Sequence, residues 1–181
     1  MLAIANRELL ARHWRAFLAV LGRSIGIVLL GMILLLIVTD VVGAALRPFV
    51  SNIPETSAAP VASLGFGVLL FASFGPIATA LIEDFTFRHT LLMKFPVWGN
   101  LAAATLLTLV NAILFGAIHI NNFGGQWILT LSFAAAGLLM NLIYLWTRNI
   151  WHVLLLHAAN NFIIGGPLTL LFVYATGGTI G

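Results

Sequence analysis

The sequence predicts an all-α fold, a polytopic transmembrane helix bundle with about five to six hydrophobic segments. Hydrophobic residues make up 61% of the 181 residues and charged residues only 7%. A soluble domain of this size could not bury so much apolar surface. The apolar residues also gather in long runs, and each crossing of a bilayer needs about 20 of them. The length therefore predicts one transmembrane domain and no second soluble domain.

Residues 1–23 are predicted to form a basic amphipathic flank. Arg7, Arg12 and Arg15 lie among apolar residues such as Trp14, a pattern typical of a helix at a membrane surface. A plain basic flank that orients the first span explains the pattern equally well. The apolar run that follows is too long for a signal peptide and lacks a small-residue cleavage site.

Residues 24–174 are predicted to form the single transmembrane domain, and 175–181 a C-terminal tail. The first span covers 24–46. The stretch 47–60 holds three prolines and several polar residues, so it is predicted to be an exterior loop.

The second apolar run, 61–95, is longer than one crossing needs, and Gly75-Pro76 predicts a kink or break inside it. Residues 95–100 are predicted to form a turn or a shallow interfacial segment. Further spans are predicted over 101–120, 127–146 and 150–174, and the last is interrupted by Gly165-Gly166-Pro167.

The basic residues predict that the N-terminus is cytoplasmic. In that orientation one basic residue, Arg47, lies outside, while six lie on the inner side: Arg7, Arg12, Arg15, Arg23, Lys94 and Arg148. Nucleic-acid binding is not predicted. The chain has no cysteine, which excludes disulfides, thiolate metal sites and a cysteine nucleophile.

Three short polar motifs interrupt the apolar segments: Glu83-Asp84-x-x-x-Arg88, Phe115-x-x-x-His119 and His157-x-x-x-Asn161. An Asp or Arg at the centre of a membrane helix costs about 2.5–3.5 kcal/mol. Because a whole fold is stabilised by only about 5–15 kcal/mol, such groups must be paired, hydrated or used in chemistry.

The spacing of the first motif predicts which of its charged side chains lie close together. On an α-helix Asp84 and Arg88 share a face, about 40° apart, whereas Glu83 and Arg88 point about 140° apart. Asp84 and Arg88 are therefore predicted to pair, which leaves Glu83 available as a base. For the acid and arginine alone, a structural salt bridge is the simpler interpretation.

The other two motifs also present each pair on one helical face. An interior His119 can accept or donate a proton, and His157 with Asn161 supplies N–H donors for a developing oxyanion, with Asn160 as a rival. Each histidine alone is more simply an interhelical hydrogen-bond partner. Helix lengths place the motifs roughly 14–26 Å above the inner turns, so they can share one layer near mid-membrane.

Together the motifs resemble the signatures of the intramembrane glutamic proteases of the CAAX prenyl protease type. This CPBP or Abi family includes the Ras-converting enzyme, and its signatures are EExxxR, FxxxH, and HxxxN or HxxxD on different transmembrane helices. Here they occur in that order as EDFTFR, FGAIH and HAANN. The similar stretch covers about 74–162 and implies a four-helix catalytic core over about 74–165.

The resemblance implies a role for each matching residue. Glu83 with His119 would activate a water for attack on a peptide carbonyl, and His157 with Asn161 would stabilise the oxyanion.

The remaining motif residues would support that set. Arg88 would organise the acidic pair, and Phe115 matches the aromatic position of its motif. The second glutamate of the signature is Asp84 here, shorter by one methylene.

The implied activity is that of an intramembrane endopeptidase without a cofactor. It would act on a membrane-associated protein or peptide within a lipid bilayer. The short chain is similar to the prokaryotic members, which implies a prokaryotic cell membrane. The pattern indicates no particular oligomeric state.

Three alternatives stay open. One glutamate and two histidines can form a zinc protease site, although no HExxH is present. Intramembrane acids and histidines also mark proton-coupled transporters, and a family fold can persist in an immunity or scaffold protein without the reaction. A serine protease has less support, because no Ser lies in the motifs.

Overall fold

The computed structural model describes Ile4 and residues 6–50 and 65–176. Within these residues the chain is helical and has no strand. The α-helices are α1 (Arg7–Ala19), α2 (Leu21–Leu46), α3 (Phe66–Ser73), α4 (Gly75–Asp84), α5 (Leu101–Ala117), α6 (Thr130–Thr147), α7 (Ile150–Ile163) and α8 (Pro167–Thr176). A π-helix, Phe85–Leu92, continues α4, and short 3-10 helices cover Arg47–Phe49, Ile120–Phe123 and Trp127–Leu129.

Four helical stretches of the described chain are long and apolar enough to cross a membrane. They are Leu21–Phe49, Phe66–Leu92, Trp127–Thr147 and Ile150–Thr176. A fifth apolar helix, α5, is shorter, with 17 residues. The predicted all-α transmembrane bundle is therefore confirmed. Cytoplasmic placement of the N-terminus stays a prediction.

Local sequence signals begin and end these helices. Asn100 and Asn149 each cap the helix that follows by accepting a backbone N–H, from Ala103 and Trp151 respectively, at 3.0 Å. The predicted break at Gly75-Pro76 is confirmed, because α3 ends at Ser73 and Pro76 lies in the first turn of α4. The interruption at 165–167 likewise separates α7 from α8.

The bundle packs around α6 and α7. The pair α5 and α6 makes the most extensive helix contact, α2 lies against both α6 and α7, and α4 lies against α7. Small residues permit this close approach. A Cβ at Gly116 of α5 would lie 2.5 Å from the carbonyl oxygen of Thr130 and 2.7 Å from the amide nitrogen of Ala134.

Helix α1 is docked on the start of α7. The Asn149 side chain donates to the His13 carbonyl at 2.8 Å, and the Ile150 N–H donates to His13 Nδ1 at 3.2 Å. The Trp151 indole donates to the Leu10 carbonyl at 2.9 Å. The predicted N-terminal helix is thus confirmed, while its position at a membrane surface stays a prediction.

Some predicted boundaries are outside the described residues or need correction. Residues 51–60 of the predicted exterior loop and 177–181 of the predicted tail are outside the described part of the chain. Helix α2, which contains the first predicted span, begins at Leu21, three residues before the predicted start of that span. The span predicted over 101–120 ends earlier, at Ala117.

Candidate active site

The first motif lies where α4 passes into the π-helix, and this corrects the α-helical geometry predicted from the sequence. In a π-helix each N–H bonds to the carbonyl five residues back, so the α-helical angles do not apply after Asp84. The side chain of Asn111, from α5, donates to the Phe87 carbonyl at 2.9 Å. A polar contact from a neighbouring helix therefore supports the π-helix.

Asp84 and Arg88 nevertheless form the predicted pair. Arg88 Nη1 lies 3.1 Å from Asp84 Oδ1, and both side chains are fully buried. The ring of Phe115 covers the guanidinium, with the Arg88 Cζ 4.2 Å from the ring centroid. This cation–π contact gives the buried charge a second favourable neighbour.

Glu83 points away from that pair and lies between two histidines. Its Oε1 is 3.7 Å from Nε2 of His119, and its Oε2 is 3.8 Å from Nε2 of His157. The carboxylate is largely but not fully buried, with 11% of its side chain exposed. The structure thus brings together three residues that are separated by up to 74 positions in the sequence.

His119 lies just beyond the end of α5, yet its ring is beside that of Phe115, with the ring centroids 5.0 Å apart, and both residues line one cavity as predicted. Its Nδ1 lies 2.8 Å from the Phe115 carbonyl, while its backbone N–H bonds to Gly116 instead. In an α-helix the backbone N–H of His119 would bond to the Phe115 carbonyl. Here the ring nitrogen of His119 bonds to that carbonyl instead, and α5 ends at Ala117. Because a carbonyl can only accept, Nδ1 carries a proton, and Nε2 is the nitrogen that faces Glu83.

His157 and Asn161 both reach inward from α7. The Asn161 amide donates to the Pro76 carbonyl at 2.9 Å and accepts from Asn160 at 3.2 Å. The bond to Pro76 joins α7 to the first turn of α4. Sequence reasoning did not find the contact with Pro76, because spacing within one motif gives no information about the opposite helix.

A second contact of His157 was also missed. Its Nδ1 lies 3.4 Å from Asp84 Oδ2, so the ring stands between two carboxylates. The adjacency of Glu83 and Asp84 is the only sequence signal for it, since neighbours on a helix point about 100° apart and can flank one ring.

A cavity of about 760 Å³ is lined by the candidate residues. Glu83, His119, His157 and Asn161 all line it, whereas the fully buried Asp84 and Arg88 do not. Leu35, Leu36 and Thr39 of α2 are among the residues that line it as well, together with apolar residues of α6. Such a site combines convergent polar groups with a mostly apolar lining, as ligand sites commonly do.

A sequence model of type II CAAX prenyl endopeptidases, Rce1-like, matches residues 65–163. The chain belongs to the Rce1-like family. Comparison with curated proteins and with solved structures found no match. The predicted resemblance to CAAX-type proteases is confirmed at the level of the family, which places this membrane-spanning chain among proteases, and so among hydrolases.

The Rce1-like segment extends from just before α3 to the end of α7 and includes every predicted site residue. Helices α1 and α2 precede it. In this Rce1-like chain, no group of three or more His, Cys, Asp or Glu in the described residues is arranged to hold a metal ion. The cofactor prediction itself stays untested.

Proposed function

We propose that this chain is an intramembrane endopeptidase that uses Glu83 and His119 to activate water. The observation that carries the proposal is the position of the Glu83 carboxylate, between two histidine rings that line a largely apolar cavity. Three ionisable groups are costly inside a membrane protein, and this arrangement gives each of them a chemical use.

The His119 ring and Glu83 suit a bridging water. With its proton on Nδ1, neutral His119 offers a lone pair at Nε2, and Glu83 Oε1 offers another 3.7 Å away. A water between them donates one O–H to each and keeps its own lone pairs for attack. On attack its proton passes to this acceptor pair and later to the leaving amine, as general acid–base catalysis requires.

Other residues that line the cavity can stabilise the oxyanion of the reaction. Backbone amides inside helices are already bonded, so side chains must supply the donors. His157 faces the cavity through Nε2, and Asn161 uses only one amide hydrogen to bond Pro76. Asn161 would donate to the carbonyl oxygen as it gains charge, and His157 would donate through Nε2 with the proton that water has released through Glu83.

The substrate proposed is a membrane-associated protein or peptide. The family description names CAAX prenyl endopeptidases, so a prenylated CAAX peptide and its unprenylated counterpart form the first pair of test substrates. Preferential cleavage of the prenylated peptide would extend the family specificity to this chain.

Comparison of membrane proteomes from cells with the parent protein and with Glu83→Gln tests the activity directly. Uncleaved substrates should accumulate in the variant. Purified protein in detergent should then cleave such a substrate about 10²–10⁴ times more slowly when Glu83→Gln or His119→Ala is present. Glu8→Gln, on an exposed face of α1, is the matched control and should cleave like the parent. Parental cleavage by Glu83→Gln would refute the proposal.

The alternatives predict different results. A zinc protease would lose activity on chelation and regain it with added zinc, whereas the proposed mechanism predicts chelator-resistant cleavage. A transporter, immunity protein or scaffold would retain its biological effect in Glu83→Ala cells, and a proton-coupled transporter would also show pH-driven solute uptake in proteoliposomes.

A further inference from the structure

Asp84 contacts more than the arginine with which it was predicted to pair. Its Oδ1 faces Arg88 at 3.1 Å, and its Oδ2 faces Nδ1 of His157 at 3.4 Å. The side chain is fully buried and does not line the cavity. Asp84 therefore cannot contact a substrate, and any effect on the reaction must pass through a neighbour.

The polar atoms at this contact have no competing partners. Within the described chain, neither Asp84 Oδ2 nor His157 Nδ1 has a hydrogen-bond partner; they face each other at 3.4 Å as an ion-pair contact without the geometry of a hydrogen bond. A buried carboxylate and a buried ring nitrogen without other partners are strongly driven to pair. The separation of 3.4 Å is longer than that of an ideal charge-assisted bond, and such contacts shorten when a substrate closes the site.

We infer that Asp84 is a positioning residue that holds the proton of His157 on Nδ1 and so directs Nε2 into the cavity. A carboxylate can only accept, and of the two carboxylates that flank the ring Asp84 is the nearer, at 3.4 Å against 3.8 Å for Glu83, so the single hydrogen of the neutral ring lies on the nitrogen that faces Asp84. The nitrogen left for the cavity is Nε2, whose neighbour Glu83 Oε2 lies 3.8 Å away. A proton that Glu83 removes from water can pass to Nε2. The protonated ring then hydrogen-bonds the oxyanion without releasing that proton, and gives it to the leaving amine when the C–N bond breaks.

Arg88 makes this arrangement possible without adding net charge. The guanidinium neutralises the carboxylate that orients His157, and the Phe115 ring covers its face. The arginine thus supports Asp84, Asp84 supports His157, and only His157 reaches the cavity. The reaction role of His157 rests on the function proposed above, whereas its ring orientation does not.

Nitrogen NMR of the histidine rings tests the orientation. The full-length protein, labelled with ¹⁵N in histidine and held in detergent micelles, is measured at a pH where the rings are neutral. Loss of a signal in His157→Gln identifies His157. The parent ring should carry its proton on Nδ1, and a parent ring with the proton on Nε2 would by itself overturn the inference.

Variants of the pair supply the second measurement. Asp84→Leu with Arg88→Met removes both charges together, which avoids an unpaired buried ion. The His157 proton should then move to Nε2, whereas Asp84→Glu should keep it on Nδ1. Asp40→Leu, at an exposed position of α2, is the matched control and should change nothing. An unchanged tautomer in the double variant would contradict the assignment.

Proteolysis separates this inference from the proposed function. If the parent cleaves, the double variant should lose about 100-fold in kcat with little change in KM, and Asp84→Glu should restore most of the rate. A double variant with the parental kcat would refute the positioning role. If the parent does not cleave any substrate, the proposed function fails, while the NMR result still decides the orientation of His157.

Discussion

Replacing Gly137 with alanine tests whether Phe115 transmits packing to the candidate site. A Cβ at Gly137 would lie 2.8 Å from Phe115 Cδ1 and 3.1 Å from its Cβ. Ordinary contacts begin at 3.4 Å, so the ring must move by about 0.6 Å. Rotation of the side chain cannot relieve the contact with Cβ. Because the ring lies 4.2 Å from Arg88 Cζ, the displacement passes to the buried charge pair.

The expected cost of Gly137→Ala follows from this overpacking. Extra methyl groups in a well-packed core cost about 1–3 kcal/mol, which for a chain of this size lowers the melting temperature by about 2–12 °C. Displacement of catalytic groups by a fraction of an ångström should also reduce cleavage by up to about 100-fold.

Thermal unfolding in detergent, followed by circular dichroism, measures the stability change. Gly26→Ala in α2 is the matched control, because no atom lies within 4 Å of the position that its new methyl group would take. Alanine has the higher helix propensity by up to about 1 kcal/mol, so this control should be neutral or stabilising. If Gly137→Ala melts as high as Gly26→Ala, Phe115 does not couple α6 to the site as we describe.

Two further predictions concern the supports of the site. Asn111→Leu removes the donor to the Phe87 carbonyl and should cost about 1–2 kcal/mol in thermal unfolding; a parental melting temperature would show that the π-helix does not need this bond. Burial, with a smaller contribution from the charge of Arg12, lowers the pKa of His13 below its usual 6.5. Below pH 6.5 the unfolded chain therefore binds more protons at His13 than the folded chain does. The stability that neutral His13 gives to the docking of α1 is present above pH 6.5, and it is lost as the pH falls through the lower pKa of the folded state. Tryptophan fluorescence should show this transition in the parent and not in His13→Gln.

The helical fold was predictable because membrane spans follow local composition. Long apolar runs, the Gly75-Pro76 break and the asparagines before α5 and α7 each act within a few residues of their own position. The approach of Glu83 to His119 was predictable in outline for a related reason. Span lengths fix the depth of each motif, and polar groups at one depth must find one another.

The details that the sequence did not predict depend on contacts between distant segments. The π-helix is supported by Asn111, which comes from another helix. The early end of α5 depends on which carbonyl the His119 ring selects. Propensity and spacing describe one helix at a time, so neither result was available from the motif itself.

Asp84, the second acidic residue of the motif, is another case in which spacing along one helix did not predict a contact with a different helix. Helical spacing correctly paired Asp84 with Arg88, and it therefore treated Asp84 as the acid least needed for attack. The contact with His157 comes from the packing of α4 against α7 and gives the same residue a second neighbour.

The π-helix also makes chain length critical at the candidate site. Its hydrogen-bonded rings contain one residue more than those of an α-helix, so Phe85–Leu92 is equivalent to an α-helical segment with an insertion. Deletion of a single exposed residue such as Thr86 would let the segment regain α-helical bonding. Arg88 would then follow Asp84 by three positions of an α-helix instead of four positions in the π-helix, which changes the direction of its side chain. A one-codon deletion here would thus redirect the guanidinium, even though every charged side chain of the motif would still be present.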